Sequence, residues 1–153
     1  PAHLVGHSLG GVVALETLHQ RGAGSVGRVV CIGSPLCGSR AARTLRARAV
    51  TAAYLGRSGP LLERGCAQWP DGVEVGMIAG TRPRGLGGLV ARFQEPHDGT
   101  VAVRETCADG LAGHVLLPAS HTGLMFDAHA VAQPARFLRR GRFADAEAGT
   151  GAV

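Results

Sequence analysis

A chain of 153 residues is one domain's worth, long enough to bury a real hydrophobic core, and 45% hydrophobic against 18% charged residues excludes general disorder. Gly, Arg, Asp or His interrupts every apolar run well before the ~20 residues that a bilayer helix requires, which excludes a spanning helix. The net charge of +5 rests on 16 basic residues that are all Arg, with no Lys and no Asn; this reads as the coding bias of a G+C-rich genome and is weak evidence for nucleic-acid binding.

Residues 2 to 6 (AHLVG) form a short apolar run ending in glycine, and Leu9 to Gln20 sets Leu9, Val12, Val13, Leu15 and Leu18 at helical spacing. The chain therefore opens as strand, turn, helix. Gly22 to Gly27 is punctuation, with Gly22 read as the helix C-cap. Arg28 to Gly33 (RVVCIG) is β-branched and continuously apolar, the pattern of a strand buried on both faces. Ser34-Pro35 forces a loop, Ala41 to Val50 reads as an Ala/Arg-rich helix, and the stretch holding Gly56, Gly59, Pro60, Gly65 and Pro70 reads as irregular. Val73 to Gly80 (VEVGMIAG) and His114 to Pro118 (HVLLP) are the third and fourth strands, and Ala128 to Arg140 carries Val131, Ala135 and Leu138 at helical spacing. Residues 1–143 thus read as one α/β domain, a mostly parallel sheet of about four strands flanked by helices, with sites gathering at the C-terminal strand ends. The tail, 144–153, is expected to be disordered.

Arg40, Arg43 and Arg46 recur at helical spacing without interleaved aromatics, and Arg139, Arg140 and Arg142 sit at a helix end, where positive charge suits the macrodipole. Both clusters read as solvated faces, and no nucleic-acid partner is expected. Cys31, Cys37, Cys66 and Cys107 include no CxxC pair and no Cys/His spacing of a zinc site, so no metal is expected. A Cys66–Cys107 bridge is compatible with an oxidising compartment, while Cys31 lies in an apolar run and reads as a small hydrophobe. Any signal peptide would precede Pro1, so the compartment stays open.

The strongest motif is Gly6-His7-Ser8-Leu9-Gly10-Gly11, a G-x-S-x-G between a strand and a helix. A serine on so sharp a turn is strained, and the glycines two before and two after it, Gly6 and Gly10, are expected to clear the space. Ser8 Oγ would then project freely, with the N-terminal dipole of the helix and the Leu9 N–H aimed at negative charge developing on a substrate oxygen. A Gly-rich strand–helix turn also serves phosphate binding or close helix packing. Gly22-Ala23-Gly24-Ser25-Val26-Gly27 matches G-x-G-x-x-G, but it precedes a strand where a dinucleotide site needs to follow one.

An activated serine needs a base, and the base an orienting acid, in the order Ser, Asp/Glu, His for this elbow. Asp98 lies in a Pro/Gly-bounded loop (EPHDGTV) after the third strand, and His121 in ASHTG after the fourth. Asp98-Gly99 is also an ordinary turn pair, and His121 also suits an N-terminal helix position or the surface. His114 is the main rival base, but it begins its strand, away from the site edge; His7 occupies a variable elbow position, and His3, His19, His97 and His129 are given no catalytic role.

With these residues in place, the chain resembles the α/β-hydrolase superfamily, within it the lipase- and esterase-like members. GHSLGG, GSPLCGS, GMIAGTR, DGTVAVRET and SHTGLMF, followed by a helix ending RFLRRGRF, are similar in collinear order to the later strands and loops of such bacterial hydrolases. The resemblance implies a Ser8 nucleophile, an Asp98 acid and a His121 base cleaving an ester or lipid through an acyl-enzyme, without metal or cofactor. It also implies that four strands and a second oxyanion donor belong before Pro1, so that the segment is a C-terminal half, poorly active alone. Acyl transfer or thioester cleavage uses the same machinery. The reading from another class is a non-catalytic module that pairs an open sheet edge with another chain.

Overall fold

Four strands of the computed structural model, which describes residues 1–47, 53, 55–84 and 93–144, lie parallel in a single sheet in chain order. They are β1 (Ala2–His7), β2 (Val26–Ile32), β3 (Glu74–Gly80) and β4 (Gly113–Leu117). His7 pairs with Ile32, Ile32 with Ile78 and Ile78 with Val115, so the C-terminal strand ends are nearly level. Helix α1 (Leu9–Arg21) follows β1, α2 (Arg40–Arg46) and α3 (Gly59–Arg64) lie between β2 and β3, and α4 (Ala128–Arg140) follows β4.

Alternation along the strands supplies two cores. Val29 and Cys31 of β2, with Val75 and Met77 of β3, meet Val12, Leu15 and Leu18 of α1. Val30, Ile32, Ile78 and Val115 face the other way onto Ala130 and Phe137 of α4. Covering both faces is why RVVCIG carries no polar alternation. Phe137 alone, fully buried, is worth about 2 kcal/mol. Asp127 caps α4 by accepting from His129 N and Ala130 N at 3.0 Å each, and Gly141 ends it with φ 69°.

The structure departs from the sequence reading in several places. β2 begins at Val26, before Arg28, and α2 begins at Arg40 and is described to Arg46; residues 48–50 of the expected helix lie outside the described residues. The stretch read as irregular contains a 3-10 turn (Gly56–Ser58) and α3, in which Pro60 stands in the first turn, where its missing N–H leaves no bond unmade. Cys66 and Cys107 form no bridge: the Cys66 thiol donates to Gln68 O at 3.2 Å, and it is the Cys37 thiol that donates to Cys107 O, also at 3.2 Å. All four cysteines are free, and burial pushes the Cys31 thiol up to about 12. Residues 145–153 of the tail lie outside the described residues; Ala144 N–H donates to Gln133 Oε1 at 2.8 Å. Among the described residues, no helix is long and apolar enough to cross a membrane.

Candidate active site

Ser8 stands between the last residue of β1 and the first of α1, with φ 54° and ψ −121°. Among the described residues it is the one non-glycine with positive φ, a conformation that costs on the order of 1–3 kcal/mol. The neighbouring backbone holds it there: Ser8 N–H donates to Ile32 O at 2.8 Å, extending the ladder of β1 and β2 by one residue. A Cβ added at Gly6 would lie 2.4 Å from Gly11 N, so strand and helix touch at a point that only glycine permits. The space expected to be needed at Gly10 is open, with nothing within 4 Å; the crowded position is Gly11, where a Cβ would lie 2.2 Å from Ser34 Oγ.

His121 and Asp98 come to Ser8 from two later loops. Ser8 Oγ is 3.0 Å from His121 Nε2, and His121 Nδ1 is 2.7 Å from Asp98 Oδ2. An ionised carboxylate only accepts, so Nδ1 carries the proton and Nε2 accepts from the Ser8 hydroxyl. Asp98 is 1% exposed, and its other oxygen, Oδ1, accepts from Thr100 N at 2.8 Å and Val101 N at 2.7 Å. Asp98 O also accepts from His121 N–H at 2.9 Å, joining the two loops through main chain as well as side chain.

Two strand-closing glycines make room for this arrangement. Gly33, at the end of β2 with φ 56°, lies under the His121 ring, where a Cβ would sit 3.2 Å from Nδ1. Gly80, at the end of β3, would place a Cβ 2.8 Å from the Asp98 Cβ and 2.5 Å from Ala119 O. The acid loop is anchored further by Glu105, buried, whose Oε1 accepts from Arg40 N at 2.7 Å and Oε2 from Ala102 N at 2.9 Å. Burial raises the Glu105 carboxyl above its ordinary range, against the pull of those two amides. Glu95, in the same loop, pairs with Arg40 at 2.8 Å and Arg104 at 3.0 Å.

His7, in sequence terms a variable position of the nucleophile elbow with no catalytic role, lies with its Nε2 3.0 Å from His121 O, and the two rings stand 4.8 Å apart at centroids. Burial lowers the His7 pKa, outweighing the opposing pull of the His121 carbonyl. The rival base His114 is elsewhere, at the start of β4 beside Thr106 Oγ1 at 3.0 Å. Leu9, the expected oxyanion donor, opens α1, whose first-turn amides have no acceptor within the helix.

No family model matches the chain, and no curated protein matches it by sequence. Among solved structures, it superposes on Bacillus licheniformis lipase BlEst2 in mature form with a TM-score of 0.70 and 19% identity, covering 90% of this chain and 64% of that one. The same lipase in propeptide form gives a TM-score of 0.65 and 21% identity, with 80% of this chain and 32% of that one covered. At such identity the likeness concerns the fold, and the chain spans less than two thirds of either structure. The four parallel strands and their flanking helices are those of a partial α/β-hydrolase fold, of the kind seen in a bacterial lipase.

Proposed function

We propose that this chain is the nucleophile-to-histidine segment of a serine hydrolase cleaving carboxylic esters of the lipase or esterase type. The observation that carries the reading is the unbroken line of hydrogen bonds from Ser8 Oγ through the His121 ring to Asp98. His121 Nε2 takes the hydroxyl proton as Ser8 Oγ bonds to the ester carbonyl carbon, and the carbonyl π pair moves onto oxygen. Asp98 keeps the proton on Nδ1 and stabilises the imidazolium. Leu9 N–H and the N-terminal dipole of α1 meet the oxyanion. Collapse breaks the bond to the alcohol oxygen, which takes the proton from Nε2 and leaves an acyl-Ser8. Water, deprotonated by the same nitrogen, then releases the acid and restores Ser8. The chemistry requires no cofactor.

An ester with an apolar acyl or alcohol group suits the machinery. Among the described residues β1 pairs on one side, and Val5 on it is 52% exposed. A further strand alongside β1 would cover that edge and bring the loop for a second oxyanion donor. The test is labelling of the full chain with a fluorophosphonate probe. Label is expected on Ser8 and is expected to be lost in Ser8→Ala; label persisting at full strength in that variant overturns the assignment.

A further inference from the structure

The residue before Ser8 also reaches His121, through its main-chain carbonyl. His121 sits on a loop, and a loop holds a side chain less firmly than a strand does, whereas proton transfer to Nε2 demands placement within about 0.5 Å. Its backbone is gripped at both polar groups: the N–H by Asp98 O at 2.9 Å, and the carbonyl by His7 Nε2 at 3.0 Å. These grips differ in origin. Asp98 belongs to another loop, but His7 is the last residue of β1 and is paired in the sheet with Ile32. The bond from His7 is therefore the direct tie between the base's own residue and the rigid strand that carries the nucleophile.

We propose that His7 is a positioning residue for the hydrolytic reaction, its Nε2–H donated to the His121 carbonyl fixing the height of the His121 imidazole over Ser8. The inference rests on the assignment of Ser8, His121 and Asp98 made above. A carbonyl only accepts, so the bond requires the hydrogen on His7 Nε2 and leaves Nδ1 bare. Burial favours the neutral ring, as a catalytic site forming an imidazolium beside it requires, since the ring centroids of His7 and His121 are 4.8 Å apart. The groups facing His7 are thus the His121 ring and carbonyl, with the Asp98 charge acting from beyond them. In sequence terms the position is free; in the structure it needs a donor at one particular reach.

Two substitutions separate donation from mere packing. His7→Phe keeps a ring of similar size without the donor, and His7→Gln keeps an amide N–H at nearly the place of Nε2 without the ring. With a short soluble ester, His7→Phe is expected to lower kcat about tenfold with KM unchanged, the size of one lost hydrogen bond expressed at the transition state. His7→Gln is expected to recover the rate to within about threefold. Equal impairment in both variants, or wild-type kcat in His7→Phe, overturns the proposal. A measurement on the unaltered chain guards against variants that fail to fold: nitrogen NMR of labelled histidines should show His7 as the Nε2–H tautomer at neutral pH, and an Nδ1–H tautomer overturns the proposal as well. Ser8→Ala assayed alongside keeps the failures apart. Activity surviving in Ser8→Ala sinks the hydrolase assignment itself, whereas activity abolished there but unaffected in His7→Phe sinks only the role of His7.

Discussion

The two glycines of the G-x-S-x-G pattern are unequal here, and the difference is measurable. At Gly6 an added methyl would lie 2.4 Å from Gly11 N and 2.6 Å from Gly10 C, both backbone atoms. Ordinary contact begins near 3.4 Å, so α1 would have to lift from β1 by roughly 1 Å or the strand would have to bend, an overpacking cost of about 3 kcal/mol. At Gly10 the same methyl meets nothing within 4 Å, and an alanine in the first turn of a helix gains about 0.5 kcal/mol over glycine by restricting the unfolded chain. Urea unfolding of Gly6→Ala and Gly10→Ala, followed by circular dichroism, should therefore move in opposite directions. For a chain of this size the first loses about 6–12 °C in Tm and the second gains a degree or two. Fluorophosphonate labelling should fall sharply in Gly6→Ala, because Ser8 rides on the displaced junction. Destabilisation of Gly10→Ala by 1 kcal/mol or more would refute the steric argument.

The other expectations concern the acid loop. Asp98→Asn leaves Oδ1 able to accept from Thr100 N and Val101 N but turns an N–H toward His121 Nδ1, enforcing the wrong tautomer; turnover should fall about 10⁴-fold with the fold intact, as read by kcat and a thermal melt. Glu105, its carboxyl raised by burial, binds its proton more tightly folded than unfolded. Its contribution to stability is therefore fully present below the ordinary carboxylate value and is lost as pH rises through the folded value. Urea midpoints measured across that window should therefore fall more steeply with pH, or rise less, in the parent than in Glu105→Gln, whatever the variant's stability at neutral pH.

Local signals made much of the architecture readable. RVVCIG announces a strand covered on both faces because its run after Arg28 is continuously apolar, and α4 is legible from its helical spacing, although the face it buries runs through Ala130, Pro134 and Phe137 and leaves Val131 exposed. Ser8 is legible from G-x-S-x-G between a strand and a helix, and Asp98 and His121 from the chain order after it and from loops that follow strands, which a parallel sheet delivers to one end. What escaped the sequence depends on partners far along the chain. The crowding at Gly11 comes from Ser34, the anchoring by Glu105 comes from Arg40, and His7 finds its acceptor at His121. α3 was hidden by its own composition, since Gly59 and Pro60 signal a break until Pro60 is seen in the first turn, where it initiates.

β1 and β4 are the outer strands of the sheet, three inter-strand steps apart, or about 14 Å. Yet the groups carried beyond their ends meet at 3.0 Å, so the His121 loop must travel inward across the rims of the two middle strands. Gly33 and Gly80 terminate those strands and keep the crossing bare. The reach of His121 to Ser8 is thus set by the breadth of the sheet and by how low its central rim is cut. A bulkier terminus on either middle strand would press straight onto the crossing, against the His121 ring at Gly33 and against Asp98 at Gly80, and part Ser8 Oγ from His121 Nε2.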